Sequence, residues 1–202
     1  MKKYLLIISM CLSSLLFVTQ CTDEKKDTTD STGNKDRGGD EFAGYGSQVK
    51  WGEHIVLSGG CGDCHTPKKM TDHGPVDDSS LLLSGHPAQM PIPPVDRADL
   101  QKKGVFATQT LTSWVGPWGV SFSANITSDS TGIGSWKEEQ FIYALRNGIF
   151  KGLEGSRPLL PPMPWHSIRH FSDDELKAIF AYLKSIKPIK NNVPAFMPPA
   201  TK

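Results

Sequence analysis

Two cysteines three residues apart, with a histidine directly after the second, constrain this chain more than any other feature. Residues 61–65 read Cys-Gly-Asp-Cys-His. This C-x-x-C-H spacing is typical of a covalent attachment site for a c-type haem. Each sulfur would add to one vinyl group of the porphyrin, and the adjacent histidine would offer a nitrogen to the iron. The pattern predicts that Cys61 and Cys64 bind one haem c and that His65 is an axial ligand.

Two other kinds of site use paired cysteines. A thioredoxin-like dithiol would open a helix inside a βαβ unit, but no apolar strand pattern precedes Cys61. A structural zinc site needs four ligands, usually as two pairs, whereas the sequence has no second C-x-x-C and its other histidines are scattered. Haem attachment is therefore favoured over both alternatives.

The 202 residues suffice for one domain with appendages. With 15 prolines and 19 glycines, much irregular backbone is expected. The formal charge of +1 gives no basic surface for a nucleic-acid partner. Four cysteines are present, Cys11, Cys21, Cys61 and Cys64. Haem attachment at the last two leaves none for a structural disulfide.

The N-terminal region has the form of an export signal. Residues 1–20 carry two lysines and then an apolar run too short for a comfortable membrane span. Val-Thr-Gln-Cys at 18–21 resembles a bacterial lipoprotein signal, although Gln20 departs from the usual small residue, so we expect lipid on Cys21; plain cleavage and an uncleaved anchor are the alternatives. Residues 21–46, nearly all polar, predict a flexible tether. The protein is thus expected on the periplasmic or cell-surface side, anchored to a bacterial membrane by lipid.

A folded domain is predicted over 47–194, followed by a C-terminal tail over 195–202. Apolar periodicity and stop signals predict helices over 47–58, 135–147 and 171–186.

Local signals support these helices. Ser135 with Glu138, and Ser172 with Glu175, have the spacing of capping boxes. Gly52 indicates either a close crossing by another helix or a surface glycine that merely weakens its own helix.

The long segment 76–134 has no sustained helical period. A short hairpin is indicated over 111–122. A calcium site at the polar turn 125–131 is conceivable, but Asp129 is its single carboxylate.

A proline-rich loop supplies the candidate for the second axial ligand. In residues 157–165, three prolines surround Met163. Proline fixes the local backbone, and a rigid loop would hold a weak iron–sulfur bond without ordering the chain each time. Met163 is therefore predicted as the axial ligand opposite His65. The other candidates are Met90, His166 and His86.

The order of these elements resembles a class I cytochrome c. Asn-Ile-Thr at 125–127 with Gly-Ile-Gly-Ser-Trp at 132–136 looks like the segment before the penultimate helix in cytochrome subunits of membrane-bound alcohol and sugar-acid dehydrogenases. Pro-Met-Pro-Trp at 162–165 and the helix ending at Pro188 look like their methionine loop and last helix. The likeness covers about two-thirds of the chain, residues 51–194. Those subunits usually carry several haem domains, whereas this sequence has one haem motif.

The resemblance implies a mainly α, class I cytochrome c fold around one covalent haem, with a long irregular insert before the penultimate helix. It implies one-electron transfer in a respiratory or dehydrogenase chain rather than catalysis. Redox partners would be a dehydrogenase, a terminal oxidase or another cytochrome. It also implies that a proline carbonyl, of Pro75 or else Pro67, accepts the second N–H of His65. The alternatives are a bound dehydrogenase subunit and a haem sensor or enzyme with an open sixth position.

Overall fold

The computed structural model describes residues 41–94 and 96–200. The predicted signal peptide, most of the predicted tether and Cys21 lie outside the described residues. Within those residues, no helix combines the length and the apolar character that a membrane crossing requires.

The described residues form six α-helices and five short strands. The helices are α1 (Gln48–Ser58), α2 (Cys61–His65), α3 (Arg97–Lys103), α4 (Glu138–Asn147), α5 (Trp165–Ile168) and α6 (Asp173–Ser185). The strands are β1 (Lys68–Thr71), β2 (Gly74–Asp77), β3 (Phe106–Ala107), β4 (Ser113–Gly116) and β5 (Gly119–Phe122). Two short 3-10 turns lie at Ser79–Leu81 and Phe150–Gly152.

Helices α1 and α6 cross in close contact and form the centre of the apolar core. Gly52 is buried at the crossing, and a Cβ atom there would lie 1.8 Å from the backbone oxygen of Ala178. No side chain fits at that separation. Of the two interpretations of Gly52, the close helix crossing is confirmed.

One predicted capping box forms and the other does not. Ser172 and Glu175 cap α6 reciprocally, as predicted. The box at Ser135 is wrong, because α4 begins at Glu138 behind Lys137, whose side chain makes no capping bond. The residues before α4 are held in turns instead, by bonds such as those from the N–H groups of Gly132 and Gly134 to the carbonyl of Asp129, both 2.9 Å.

The insert, residues 76–134, contains more regular structure than the one hairpin predicted from its sequence. Strands β3, β4 and β5 form an antiparallel sheet, and α3 lies beside it. Strands β4 and β5 pair with Trp114 opposite Ser121, which confirms the hairpin predicted over 111–122. Strands β1 and β2 form a separate exposed hairpin directly after α2.

The chain after α6 returns to the insert. Met197 pairs with Val120 through two backbone hydrogen bonds of 2.8 and 3.1 Å. The Asn191 side chain donates to the carbonyls of Ser84, at 2.7 Å, and His86, at 2.9 Å. Residues 187–200 thereby tie the end of the described chain to both halves of the insert.

Candidate haem-binding site

The two cysteines and the histidine of the motif lie in one five-residue helix, α2. Helix α1 ends at Gly59, and Gly60, with φ of 68°, turns the chain directly into α2. Cys61 and Cys64 are half-buried free thiols rather than a disulfide. One turn of helix thus carries both predicted attachment points next to the predicted ligand.

The surroundings of the two thiols do not resemble those of a reactive dithiol. Burial raises the pKa of Cys61 to about 11 and also raises the pKa of Cys64, whereas reactive dithiols have a thiol of lowered pKa. In the part of the chain that the structure describes, no cluster of three or more His, Cys, Asp or Glu side chains could hold a metal ion.

The calcium alternative also lacks support. The Oδ1 atom of Asp129 accepts bonds from the N–H and hydroxyl groups of Thr131, at 2.8 and 2.6 Å. This carboxylate therefore closes its own turn.

His65 is buried, and its ring is fixed by one hydrogen bond. Nδ1 lies 2.8 Å from the backbone oxygen of Ala124. A carbonyl can only accept, so Nδ1 carries the proton and Nε2 presents a lone pair. Burial also lowers the pKa of His65, which favours the neutral imidazole that binds metals. A backbone carbonyl that accepts the other ring N–H commonly fixes the orientation of a metal-bound histidine.

The predicted acceptors Pro75 and Pro67 are both wrong. The Pro67 carbonyl accepts from the N–H of Asp78 at 2.8 Å, and Pro75 is committed to the exposed β1–β2 hairpin. The actual acceptor, Ala124, lies 59 residues from His65 in sequence.

A buried lysine that the sequence analysis did not single out holds the C-terminal end of α2. Lys68 Nζ donates to the carbonyls of Gly62 and Thr66, both at 2.8 Å, and pairs with Asp77 Oδ1 at 2.7 Å. The side chain of Lys68 is only 9% exposed. A cation at a helix C-terminus is favourable, since the last carbonyls lack intrahelical partners.

Met163 lies half-buried in a loop directly before α5. Its N–H donates to Leu160 at 3.1 Å, and its carbonyl accepts from Trp165 at 2.9 Å. The hydroxyl of Ser121 in β5 donates to the Pro161 carbonyl of this loop at 2.6 Å. The structure thus gives the loop a fixed attachment to the insert, and the role of Met163 as a ligand stays a prediction.

The other candidate ligands differ in availability. His86 is fully buried, with Nδ1 2.9 Å from Thr112 Oγ1 and Nε2 3.0 Å from the Met90 carbonyl. Both ring nitrogens are therefore occupied. His166 is exposed and its ring packs on Trp165 with centroids 3.8 Å apart. Met90 is 40% exposed.

The residues present fit a covalent haem. Two thiols and an imidazole with a free Nε2 share one helix, and a carbonyl already fixes the imidazole tautomer. The sequence could have pointed to Lys68 only through its place just after a helix end. It carries no signal for Ala124, because every residue has a carbonyl.

Several known proteins that are similar to this chain are cytochrome subunits of dehydrogenases. The cytochrome subunit of fructose dehydrogenase from Gluconobacter japonicus is 36% identical over 143 residues, 70% of this chain and 22% of the relative. The cytochrome c subunit of gluconate 2-dehydrogenase from Pantoea cypripedii is 29% identical over 143 residues, 70% of this chain and 24% of the relative. The cytochrome c subunit of a quinone-type alcohol dehydrogenase from Gluconobacter oxydans is 26% identical over 153 residues, with the same coverage.

These comparisons confirm the resemblance drawn from the motifs. No protein-family model matches the chain, and it spans only about a quarter of the length of the relatives described. Relatedness to cytochrome c subunits implies a cytochrome c fold and haem c. Over 70% of its length, this chain is a homologue of the cytochrome c subunits of alcohol, gluconate and fructose dehydrogenases.

Proposed function

We propose that this protein is a one-electron carrier built around a single covalent haem c. The observation that carries the proposal is the state of His65, whose Nδ1 is bonded to Ala124 while Nε2 stays free, in the helix that holds both cysteines. When bound, the haem supplies a ferric/ferrous couple. The protein's own residues then hold, orient and shield that group.

Each site residue has a distinct role in this proposal. Cys61 and Cys64 would hold the haem covalently, and His65 would be one ligand of its iron. Met163 would be the second ligand, and its thioether would favour the ferrous state and a fairly high potential. With both ligands supplied by the protein, the bound haem would transfer electrons rather than bind oxygen or peroxide, as in a carrier that is not itself an enzyme.

The relatives and the N-terminal sequence support a setting for the proposed carrier. The relatives are subunits of dehydrogenases, which supports a dehydrogenase as electron donor and a terminal oxidase or another cytochrome as acceptor. The lipoprotein-like signal supports export, lipid on Cys21 and a position on the periplasmic or cell-surface side of a bacterial membrane. Mass spectrometry of the mature N-terminus, with Cys21→Ser as the variant, tests the lipid directly.

The first measurement is the absorption spectrum of the oxidised holoprotein, scanned into the far red. Methionine-ligated ferric haem gives a weak charge-transfer band there. We expect this band in the wild type and its absence in Met163→Ala. Met90→Ala is the matched control, since Met90 is also followed by proline, and it should keep the band. A high-spin wild-type spectrum would instead support the sensor or enzyme alternative, because the sixth position would be open.

The bound-subunit alternative differs from a free carrier only in its partner. Purification from detergent-solubilised membranes separates the two, since a subunit would co-purify with a dehydrogenase and a free carrier would not.

A further inference from the structure

Residues 121–124 are the end of β5 and the two residues after it. They hydrogen-bond both to His65 and to the loop that carries Met163. The Ala124 carbonyl accepts from His65 Nδ1 at 2.8 Å. Three residues earlier, the Ser121 hydroxyl donates to the Pro161 carbonyl at 2.6 Å. Extended chain rises about 3.3 Å per residue, so the two attachments lie within about 10 Å along one strand. We propose that Ser121 is a positioning residue for the Met163 loop and that residues 121–124 couple the methionine side of the site to the histidine side.

The orientation of the Ser121 hydroxyl is determined by its two partners. The indole Nε1 of Trp118 donates to Ser121 Oγ at 3.1 Å. A serine hydroxyl carries one proton, and an indole N–H cannot accept it, so the proton is directed to the Pro161 carbonyl. Ser121 is only 5% exposed, so water does not compete freely for this bond.

Residues 121–124 are themselves held in place. The N–H of Ser123 donates to Thr112 at 2.9 Å, and its carbonyl accepts from the N–H of His86 at 3.0 Å. On the other side, Gly85 packs so closely that a Cβ atom would lie 2.5 Å from the backbone of Ser123 and Ala124. Residues 121–124 are therefore fixed to the neighbouring parts of the insert and do not shift independently of them.

The coupling reaches Met163 through the backbone. Pro161 lies two residues before Met163, and proline fixes its own φ, so a shift at Pro161 is carried along the loop. On the other side of Pro161, the N–H of Leu159 donates to the Gly148 carbonyl at 2.7 Å. The Ser121 bond therefore attaches the loop to the insert only two residues before Met163.

The inference rests on the proposed function, because it takes Met163 as the sixth ligand. Without the Ser121 bond, the Met163 sulfur should leave the iron more often. The apparent affinity for an external ligand scales with the population of the open form. Loss of one hydrogen bond should therefore raise that affinity about tenfold.

The experiment measures imidazole binding to the ferric holoprotein by its Soret shift, in Ser121→Ala and in Ser123→Ala. Ser123 is the matched control because it is 7% exposed and its hydroxyl makes no hydrogen bond to any described residue. Ser121→Ala should bind imidazole about tenfold more tightly than the wild type, and Ser123→Ala should match the wild type. Equal affinities in the two variants would overturn the inference.

Two further variants keep the result interpretable. Trp118→Phe removes the donor to Ser121 and should raise the imidazole affinity by a smaller factor, which tests the coupling even if Ser121→Ala does not fold. Met163→Ala separates the two proposals, since it should bind imidazole tightly. If it binds like the wild type, Met163 is not the ligand and the proposed ligation fails. If it binds tightly while Ser121→Ala and Trp118→Phe do not, only the positioning role of Ser121 fails.

Discussion

Two regions of this molecule have interiors of different chemistry. The helical frame, formed by α1, α4 and α6, buries apolar side chains, namely Ile55, Val56, Phe141, Leu176, Ile179, Phe180 and Leu183. The insert buries many hydroxyl, imidazole and amide groups, namely Ser84, His86, Thr108, Thr110, Thr112, Ser113, Ser121, Ser123, Asn125 and Thr127. The insert also buries the apolar side chains of Leu83, Val115, Val120 and Ile133, so it adds a network of directional bonds to apolar burial.

The polar interior forms a continuous chain. Ser113 bonds Thr108 at 2.8 Å, Thr108 bonds Thr110 at 3.2 Å, and Thr110 bonds Thr112 at 2.9 Å, side chain to side chain. Thr112 then bonds His86 Nδ1 at 2.9 Å. Apolar burial is non-directional, whereas a satisfied hydrogen-bond network specifies one arrangement. The frame therefore supplies stability, and the insert sets the position of the carbonyl that orients His65.

The largest loss of stability is expected at Gly52, where α1 and α6 cross without space for a side chain. Gly52→Ala places a Cβ atom 1.8 Å from the Ala178 oxygen, so α1 and α6 must separate. We expect a loss of about 3 kcal/mol or more in the free energy of unfolding, measured by urea denaturation. Gly46→Ala is the control, because nothing lies within 4 Å of a Cβ atom there. Equal stabilities would contradict the role assigned to the crossing.

Breaking the polar chain tests the insert. Thr112→Val keeps the volume but removes the partner of His86 Nδ1 and one of the two side-chain bonds of Thr110. The free energy of unfolding should fall by about 2 kcal/mol. Thr71→Val in the exposed β1–β2 hairpin also removes two hydrogen bonds, to Gly74 and from His73, but they are exposed and water can replace them. This variant should therefore change the free energy of unfolding by no more than about 0.5 kcal/mol. A neutral Thr112→Val variant would show that the insert does not depend on its hydroxyls.

The insert should also make stability depend on pH. Burial lowers the pKa of His86 below its ordinary value of 6.5. Just below pH 6.5, the unfolded state therefore binds more protons at this residue than the folded state does. Stability should therefore fall as the pH drops below about 6.5, at no more than about 1.4 kcal/mol per pH unit from this residue. Urea denaturation at several pH values should give a flatter profile for His86→Gln. An unchanged slope would remove His86 as the source.

The smallest expected change in stability is at the two predicted helix caps, Ser172 and Ser135. Ser172→Ala removes the bond to the N–H of Glu175 and should destabilise the protein by about 1 kcal/mol. Thermal melts of both variants check this, and Ser135→Ala should be nearly silent, since α4 begins three residues later. A larger loss at Ser135 would mean that it does cap the chain.

The frame could be predicted from the sequence because its signals are local. Apolar spacing and the Ser172–Glu175 box indicated α6, and Ser47 caps α1 where the predicted helix begins. The prediction at Ser135 was wrong because the residues before α4 form turns, with N–H groups bonded to the Asp129 carbonyl, rather than the first turn of the helix. Local propensity cannot show such competition.

The candidate site was predictable only in part. The motif placed Cys61, Cys64 and His65 together, since their spacing is local. The acceptor of the His65 proton was missed because it is a backbone carbonyl 59 residues away. The threonines of the insert resemble loop residues in sequence, and only the fold shows that they are buried and bonded to one another.

The return of residues 187–200 to the insert bears on the order in which the chain folds. Asn191 meets the His86 carbonyl across 105 residues, and Met197 completes a backbone pair with Val120. Contacts between distant residues form slowly, because loop closure must precede them. We therefore expect the insert to close last, after the chain through Met197 has been made. On this order of folding, Ala124 reaches His65 only late, so the two thiols of α2 would stay accessible for haem attachment until the insert closes.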